Sequence, residues 1–157
     1  MAAPVITIVD SNDRTVTSWD NGVVQAANES SVLTFTVWNN RGGTVDMPDL
    51  KEATIVALDI DGKATSELVV NKWTRVNVPV LDGSSNIWTP IGGTTGKYIR
   101  ADGLTAADGY VIKGNINDGT LANSNTNYCT ISIKTKVPEG ASAGVRNWKL
   151  RINGYYT

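Results

Sequence analysis

Two stretches near the end of the chain decide the fold class: YCTISIKTKV at residues 128–137 and NWKLRIN at residues 147–153. Apolar and polar residues alternate strictly in both stretches. Successive side chains of a β-strand point to opposite faces of a sheet, so this alternation predicts two half-buried strands. The turn-forming residues VPEGASAG at 137–144 lie between them. We therefore expect the two strands to form a terminal hairpin.

The rest of the chain also favours short strands. β-Branched or alternating runs predict further strands at residues 5–9, 32–38, 54–60, 66–70 and 73–81. Residues 82–127 are rich in Gly, Asn, Thr, Ser and Asp and contain several Asp-Gly turn signals, which predicts a long loop-rich excursion with small strands. The expected fold is all-β, an antiparallel β-sandwich with one domain over residues 1–157.

Composition narrows the classes of function. The formal net charge of −1 argues against a general nucleic-acid binder, and no run approaches the roughly 20 apolar residues that span a bilayer. The start of the chain lacks the pattern of a secretory signal, so either a signal has been removed or the protein is made and kept in the cytoplasm. The chain has no His, and its lone Cys129 falls on the inward face of its strand. These features predict a buried thiol and no catalytic thiolate.

Two short motifs resemble known families. The sequence VPEG at residues 137–140, followed by Ala143-Gly144 and an aromatic-containing strand, resembles the penultimate-strand signature of bacterial and phage immunoglobulin-like domains. Another strand normally follows in such domains, whereas few residues remain here, so the order is shifted or the final strand comes from elsewhere, such as the N-terminal segment. The WNN strand end at residues 38–40 and the Lys72-Trp73 strand start resemble small structural proteins of tailed-phage virions. The resemblance implies an immunoglobulin-like sandwich that serves as a virion accessory protein.

Two groups of residues bear on possible chemistry. Asp59 and Asp61 place two carboxylates on one strand face, about 7 Å apart, which lies between the spacings of retaining and inverting glycosidase pairs. The more economical interpretation is an exposed strand end entering a turn. The run GGTTGK at residues 92–97 departs from the phosphate-loop pattern at its first glycine and after its lysine, and is expected to be a loop. The sequence thus predicts no catalytic, cofactor-binding or metal-binding residues.

Aromatic and basic residues are the candidates for an interaction surface. Trp148 shares its face with Leu150 and Ile152 and is expected to anchor the core, whereas Trp38 falls on the polar face of its strand. Three interpretations remain open for the other aromatics: burial under a folded-back excursion, a protein interface, or a glycan-stacking platform. The basic outer face of the expected hairpin either guards a strand edge or docks an acidic partner. The complete candidate set is Trp38, Trp88, Tyr98, Tyr110, Lys134, Lys136, Lys149, Arg151, Tyr155 and Tyr156.

The leading hypothesis is a non-enzymatic capsid decoration protein of a tailed phage, made in the host cytoplasm and located on the virion exterior. Its partners would be the major capsid protein or other virion subunits, with self-association and a glycan as further possibilities, and neither nucleic acid nor a membrane. The alternative is a carbohydrate-binding or receptor-binding module that uses Trp38, Trp88 and Tyr98 as stacking faces. A tail or neck component is a close variant, and a glycosidase would require Asp59 and Asp61 to line a cleft.

Overall fold

Two antiparallel sheets enclose a shared apolar core in the computed structural model, which describes residues 2–84 and 86–157. Residues 1 and 85 lie outside the described residues. Both belong to the expected domain, and residue 85 also belongs to the expected excursion. The described part of the chain forms eight strands, two short α-helices and one 3-10 turn (Ala106–Asp108). The strands and α-helices are β1 (Ile6–Asp10), β2 (Leu33–Asn39), β3 (Lys51–Asp59), α1 (Glu67–Val70), β4 (Thr74–Asn77), α2 (Pro79–Asp82), β5 (Thr89–Ile91), β6 (Lys97–Tyr98), β7 (Tyr128–Thr135) and β8 (Trp148–Tyr155).

The strand order defines a larger and a smaller sheet. The larger sheet has the order β1-β2-β7-β4-β5, and the smaller sheet has the order β6-β3-β8. Every strand pair is antiparallel. The prediction of an all-β antiparallel sandwich is confirmed.

The core lies between the inner faces of the two sheets. Cys129, Ile131 and Ile133 of β7 are fully buried there, as their alternation predicted, and they share the core with Ile55 and Ala57 of β3. Removing these side chains from water is the main favourable contribution to folding. This burial matches the strict alternation of β7, whose other face carries Thr130, Ser132 and Lys134.

The predicted terminal hairpin is wrong. β7 pairs with β2 and β4 in the larger sheet, whereas β8 pairs with β3 in the smaller sheet. The connection at residues 136–147 therefore crosses from one sheet to the other. Alternation determines which face a side chain occupies but does not determine the partner strand. As a consequence, the basic residues of β7 and β8 lie on opposite outer faces of the sandwich.

Two segments predicted as strands contain helical turns. Residues 67–70 form α1 because the Ser66 side chain caps the helix and accepts from the amide of Val69. The strand predicted at 73–81 ends at Asn77, and Pro79 begins α2, since proline fits the first turn of a helix. Within residues 2–84 and 86–157, neither helix is long and apolar enough to cross a membrane.

Asparagine side chains attach the loop-rich excursion to the end of β2. Asn39 is fully buried, and its Nδ2 donates to the carbonyls of Pro48 at 2.9 Å and Ile112 at 3.2 Å. Asn40 Nδ2 donates to the carbonyl of Gly114 at 2.7 Å. Directed amide–carbonyl hydrogen bonds thus hold a segment that has few apolar residues of its own.

Candidate interaction surface

The two carboxylates considered for catalysis have structural contacts. The Asp59 carboxylate accepts from the Ser66 hydroxyl and from the backbone and side chain of Thr65, at 2.7 and 2.9 Å, and these hydrogen bonds hold the pKa of Asp59 well below its usual range. Asp61 pairs with Lys63 at 3.3 Å. Both side chains stabilise the turn after β3. In the described part of the chain, no group of three or more His, Cys, Asp or Glu side chains is placed to hold a metal.

The prediction that Trp38 contributes to an interaction surface is wrong, because the side chain is buried. Its side chain is only 1% exposed, although it does point away from the main core as the alternation of β2 predicted. It packs on Tyr128 with ring centroids 4.7 Å apart, and its Nε1 donates to Thr36 Oγ1 at 2.8 Å. The excursion covers this side of the sheet, since the Tyr128 hydroxyl donates to the carbonyl of Leu121 at 3.0 Å. Trp38 is therefore unable to serve as a stacking face.

Trp88 lies on the outer face of the larger sheet. Lys134 Nζ lies 4.4 Å from the centroid of the Trp88 ring and also pairs with Glu29 at 2.6 Å. The hydrogen bond from Lys134 lowers the pKa of Glu29. The charge of Lys134 is thus balanced by an ion pair within the molecule. Its neighbour Lys136 is exposed and forms no ion pair within the described residues.

The smaller sheet presents a second outer face. Residues that oppose each other in an antiparallel pair lie on the same face, and Thr54 opposes both Tyr98 of β6 and Asn153 of β8. Val56 opposes Arg151 in the same way. We name this surface the small-sheet face and define it by Tyr98, Tyr110, Lys149, Arg151 and Tyr155.

A stacked pair of tyrosines forms one side of the small-sheet face. The rings of Tyr98 and Tyr110 are 4.1 Å apart at their centroids and inclined by 16°. Their positions are fixed by the edge of β3, because Ala53 N donates to the carbonyl of Tyr110 and Ile99 N donates to that of Ala53, both at 2.9 Å. Tyr98 remains 45% exposed. The stack is a rigid aromatic surface that an incoming molecule can cover at little entropic cost.

Cations occupy the other side of the small-sheet face. Arg151 is exposed and makes no ion pair within residues 2–84 and 86–157, while Lys149 Nζ donates to the carbonyl of Ile60 at 3.1 Å. Tyr155 and Tyr156 are 51% and 42% exposed at the end of β8. By alternation, Tyr155 shares the face of Lys149 and Arg151. This side of the face combines aromatic area with uncompensated positive charge.

The candidate residues do not form one surface. Five of them come together on the small-sheet face, and Tyr156 is exposed directly after β8. Lys134 lies in β7 of the larger sheet, Trp88 lies just before β5, Lys136 lies just after β7, and Trp38 is buried. Sequence reasoning missed Asn153 and Thr54, which lie between the tyrosines and the cations, because only the pairing register places them there. No known protein-family model matches this chain, and no curated protein sequence matches it. The surface is therefore interpreted from its own chemistry.

Proposed function

We propose that this chain is a non-enzymatic structural protein of a tailed-phage virion, a decoration or accessory protein that docks on the shell exterior through its small-sheet face. A tail or neck position is the close variant of this role. One observation carries the proposal: on the small-sheet face, a rigid tyrosine stack with Tyr98 45% exposed lies on the same face as an exposed arginine that forms no ion pair in the described part of the chain. Tyrosine and arginine are enriched in protein interfaces and among the residues that contribute most to binding.

The physical mechanism is passive reinforcement. Covering Tyr98 and Tyr110 with a neighbouring subunit removes apolar area from water, and separating the subunits exposes that area again. Arg151 adds directed hydrogen bonds to an acidic partner surface and makes binding weaken as salt increases. A weak contact repeated over a closed shell is sufficient for reinforcement, because the contacts act together.

Co-sedimentation tests this proposal. Purified protein is mixed with isolated shells that lack it, and binding is compared for the wild type, Arg151→Glu and Lys136→Glu. Both substitutions change an exposed cation by two charge units, but Lys136 lies directly after β7 of the larger sheet and not on the small-sheet face. We expect Arg151→Glu to weaken binding by about tenfold or more, in the range of interface hot spots, and Lys136→Glu to leave it near the wild-type value.

Two results would contradict the proposed role. The first is the absence of wild-type binding to such shells at any salt concentration. The second is an equal loss of binding in both variants, which would indicate that net charge alone is responsible. Tyr98→Ala supplies an uncharged check, since it removes half of the tyrosine stack and should also weaken shell binding.

The alternative of a carbohydrate-binding or receptor-binding module now depends on Tyr98. Trp38 is buried, and Trp88 and Tyr98 lie on opposite outer faces, so the three aromatics do not make one platform. The exposed ring of Tyr98 remains suitable for stacking on a sugar. Binding on a glycan array that is lost in Tyr98→Ala, with the fold intact, would favour this alternative over shell docking.

A further inference from the structure

β8 is a long strand with one free edge. It spans eight residues, pairs only with β3, and its other edge has no backbone hydrogen-bond partner within the described residues. The remaining sheet edges are short or covered. β1 is flanked by Thr15, and the amide of Val16 donates a hydrogen bond to the carbonyl of Ile8. β5 has three residues with Pro90 at its centre, and β6 has two residues. Long free edges are the usual sites at which another strand adds to a sheet.

The hydrogen bonds of β3 show which β8 residues direct their backbone amide and carbonyl groups to the free edge. The amide and carbonyl of Ala53 bond to Tyr110 and Ile99, on the side away from β8. Backbone groups alternate in direction along a strand, so Thr54 and Val56 bond to β8 through their opposite residues Asn153 and Arg151. Leu150, Ile152 and Gly154 consequently direct their amides and carbonyls to the free edge.

The side chains of β8 are also incompletely covered. Trp148, Leu150 and Ile152 point into the core but are only partly buried, whereas Ala53, Ile55 and Ala57 of the neighbouring β3 are fully buried. A strand added at the free edge would bury more of these three apolar side chains. Both the backbone edge and the inward side chains of β8 are thus incompletely partnered in the described part of the chain, although Trp148 also packs on Trp19.

We propose that two copies of this chain associate through β8, as an antiparallel pair with the two-fold axis at Ile152. This register places Leu150 opposite Gly154 of the second copy, so that groups at both free edges bond to each other. It places Arg151 opposite Asn153 and Lys149 opposite Tyr155, which are favourable cross-strand neighbours. A shift of the axis to Arg151 would set the two arginines opposite each other. An axis at Asn153 would overlap only residues 151–155 of β8, whereas the axis at Ile152 overlaps residues 149–155. Cross-strand charge and overlap together favour the axis at Ile152, and the self-complementary edge identifies a second copy as the partner.

This inference is independent of shell docking but has a consequence for it. The two smaller sheets would become one continuous six-stranded sheet, and the two small-sheet faces would lie side by side on it. A dimer would then present two tyrosine stacks and two copies of Arg151 on one surface.

Sedimentation equilibrium of the purified chain tests the proposal. A strand pair of this size is a weak contact, so dimers are expected at protein concentrations of about 10 μM to 1 mM. Asn153→Arg places two arginines opposite each other twice in the dimer, and the dissociation constant should rise by about 2-fold to 30-fold. Asn12→Arg, at an exposed position in the turn after β1, adds the same charge far from β8 and should have no such effect.

A swap variant makes the test specific for the register. Arg151→Asn combined with Asn153→Arg has the wild-type composition and again sets Arg opposite Asn, so dimerisation should return. A wild-type chain that stays monomeric up to about 1 mM overturns the proposal. So does a dimer that Asn153→Arg does not weaken, or that Asn12→Arg weakens equally. Failure of the swap variant to dimerise, with its melting temperature unchanged, also overturns it. Because free protein is measured here and shells are used for the docking test, the two proposals can fail separately.

Discussion

Replacing Asn39 by Leu should destabilise the protein by about 2–4 kcal/mol, because it leaves backbone groups without partners. The Asn39 side chain accepts from the amide of Val5 at 3.1 Å and donates to the carbonyls of Pro48 and Ile112. The Ile112 carbonyl keeps a second donor, the amide of Leu50 at 3.0 Å. The Val5 amide and the Pro48 carbonyl lose their partner. An unsatisfied buried group costs about 1–3 kcal/mol, and the exposed Val5 lies at the low end of that range.

Urea unfolding monitored by tryptophan fluorescence measures this loss, with Asn12→Leu as the control because Asn12 is exposed. Asn39→Asp gives an independent check. Its carboxylate would retain the acceptor for Val5 but face the Pro48 carbonyl in a buried site, which raises its folded-state pKa. The destabilisation should therefore be greatest at neutral pH and decrease as the pH falls toward the ordinary pKa of a carboxyl group. An Asn39→Leu variant within about 0.5 kcal/mol of the wild type would refute this reasoning.

Four further predictions follow from particular contacts. Trp38→Ala should cost about 3–5 kcal/mol in denaturant unfolding, whereas an exposed Trp38 would leave stability unchanged. Gly154→Ala should cost about 1–3 kcal/mol, since an added Cβ would lie 2.6 Å from Leu50 Cδ1, and a normal melting temperature would contradict this. Hydrogen bonds depress the pKa of Asp59, so its contribution to stability is present above the ordinary carboxyl pKa and is lost as the pH falls; Asp59→Asn should remove that part of the acid dependence. Burial raises the pKa of the Cys129 thiol, so a thiol reagent should label it only in denaturant, and rapid labelling of folded protein would be the opposite result.

The sequence predicted the fold class well because alternation along a strand directly reflects burial on one face. Cys129, Ile131 and Ile133 lie inward as expected. The pairing of β8 with β3 was not predictable in this way, since the same alternation satisfies any partner strand. Trp38 shows a related limit. Alternation correctly predicts that Trp38 lies on the outer face of β2, but its burial depends on a distant loop that folds over that face.

The candidate surface could be predicted only residue by residue. The chemistry of Tyr98, Tyr110 and Arg151 identifies them as candidates. Arg151 lies 41 or more positions after either tyrosine, and only the register through β3 brings the three residues to one face. The prediction of one basic strip failed for the same reason. Lys134 and Arg151 have similar local sequence patterns but belong to different sheets.

The attachment of residues 113–117 by asparagine side chains has a consequence for how this segment opens. Asn40 and Asn127 hold it through main-chain carbonyls, and its one large apolar residue, Ile116, is already 54% exposed. The heat-capacity change and the denaturant dependence of an opening step both scale with the surface that the step newly exposes. Local release of this segment would therefore show small values of both quantities. Amide hydrogen exchange would report this opening, with rates in the segment that hardly respond to added urea.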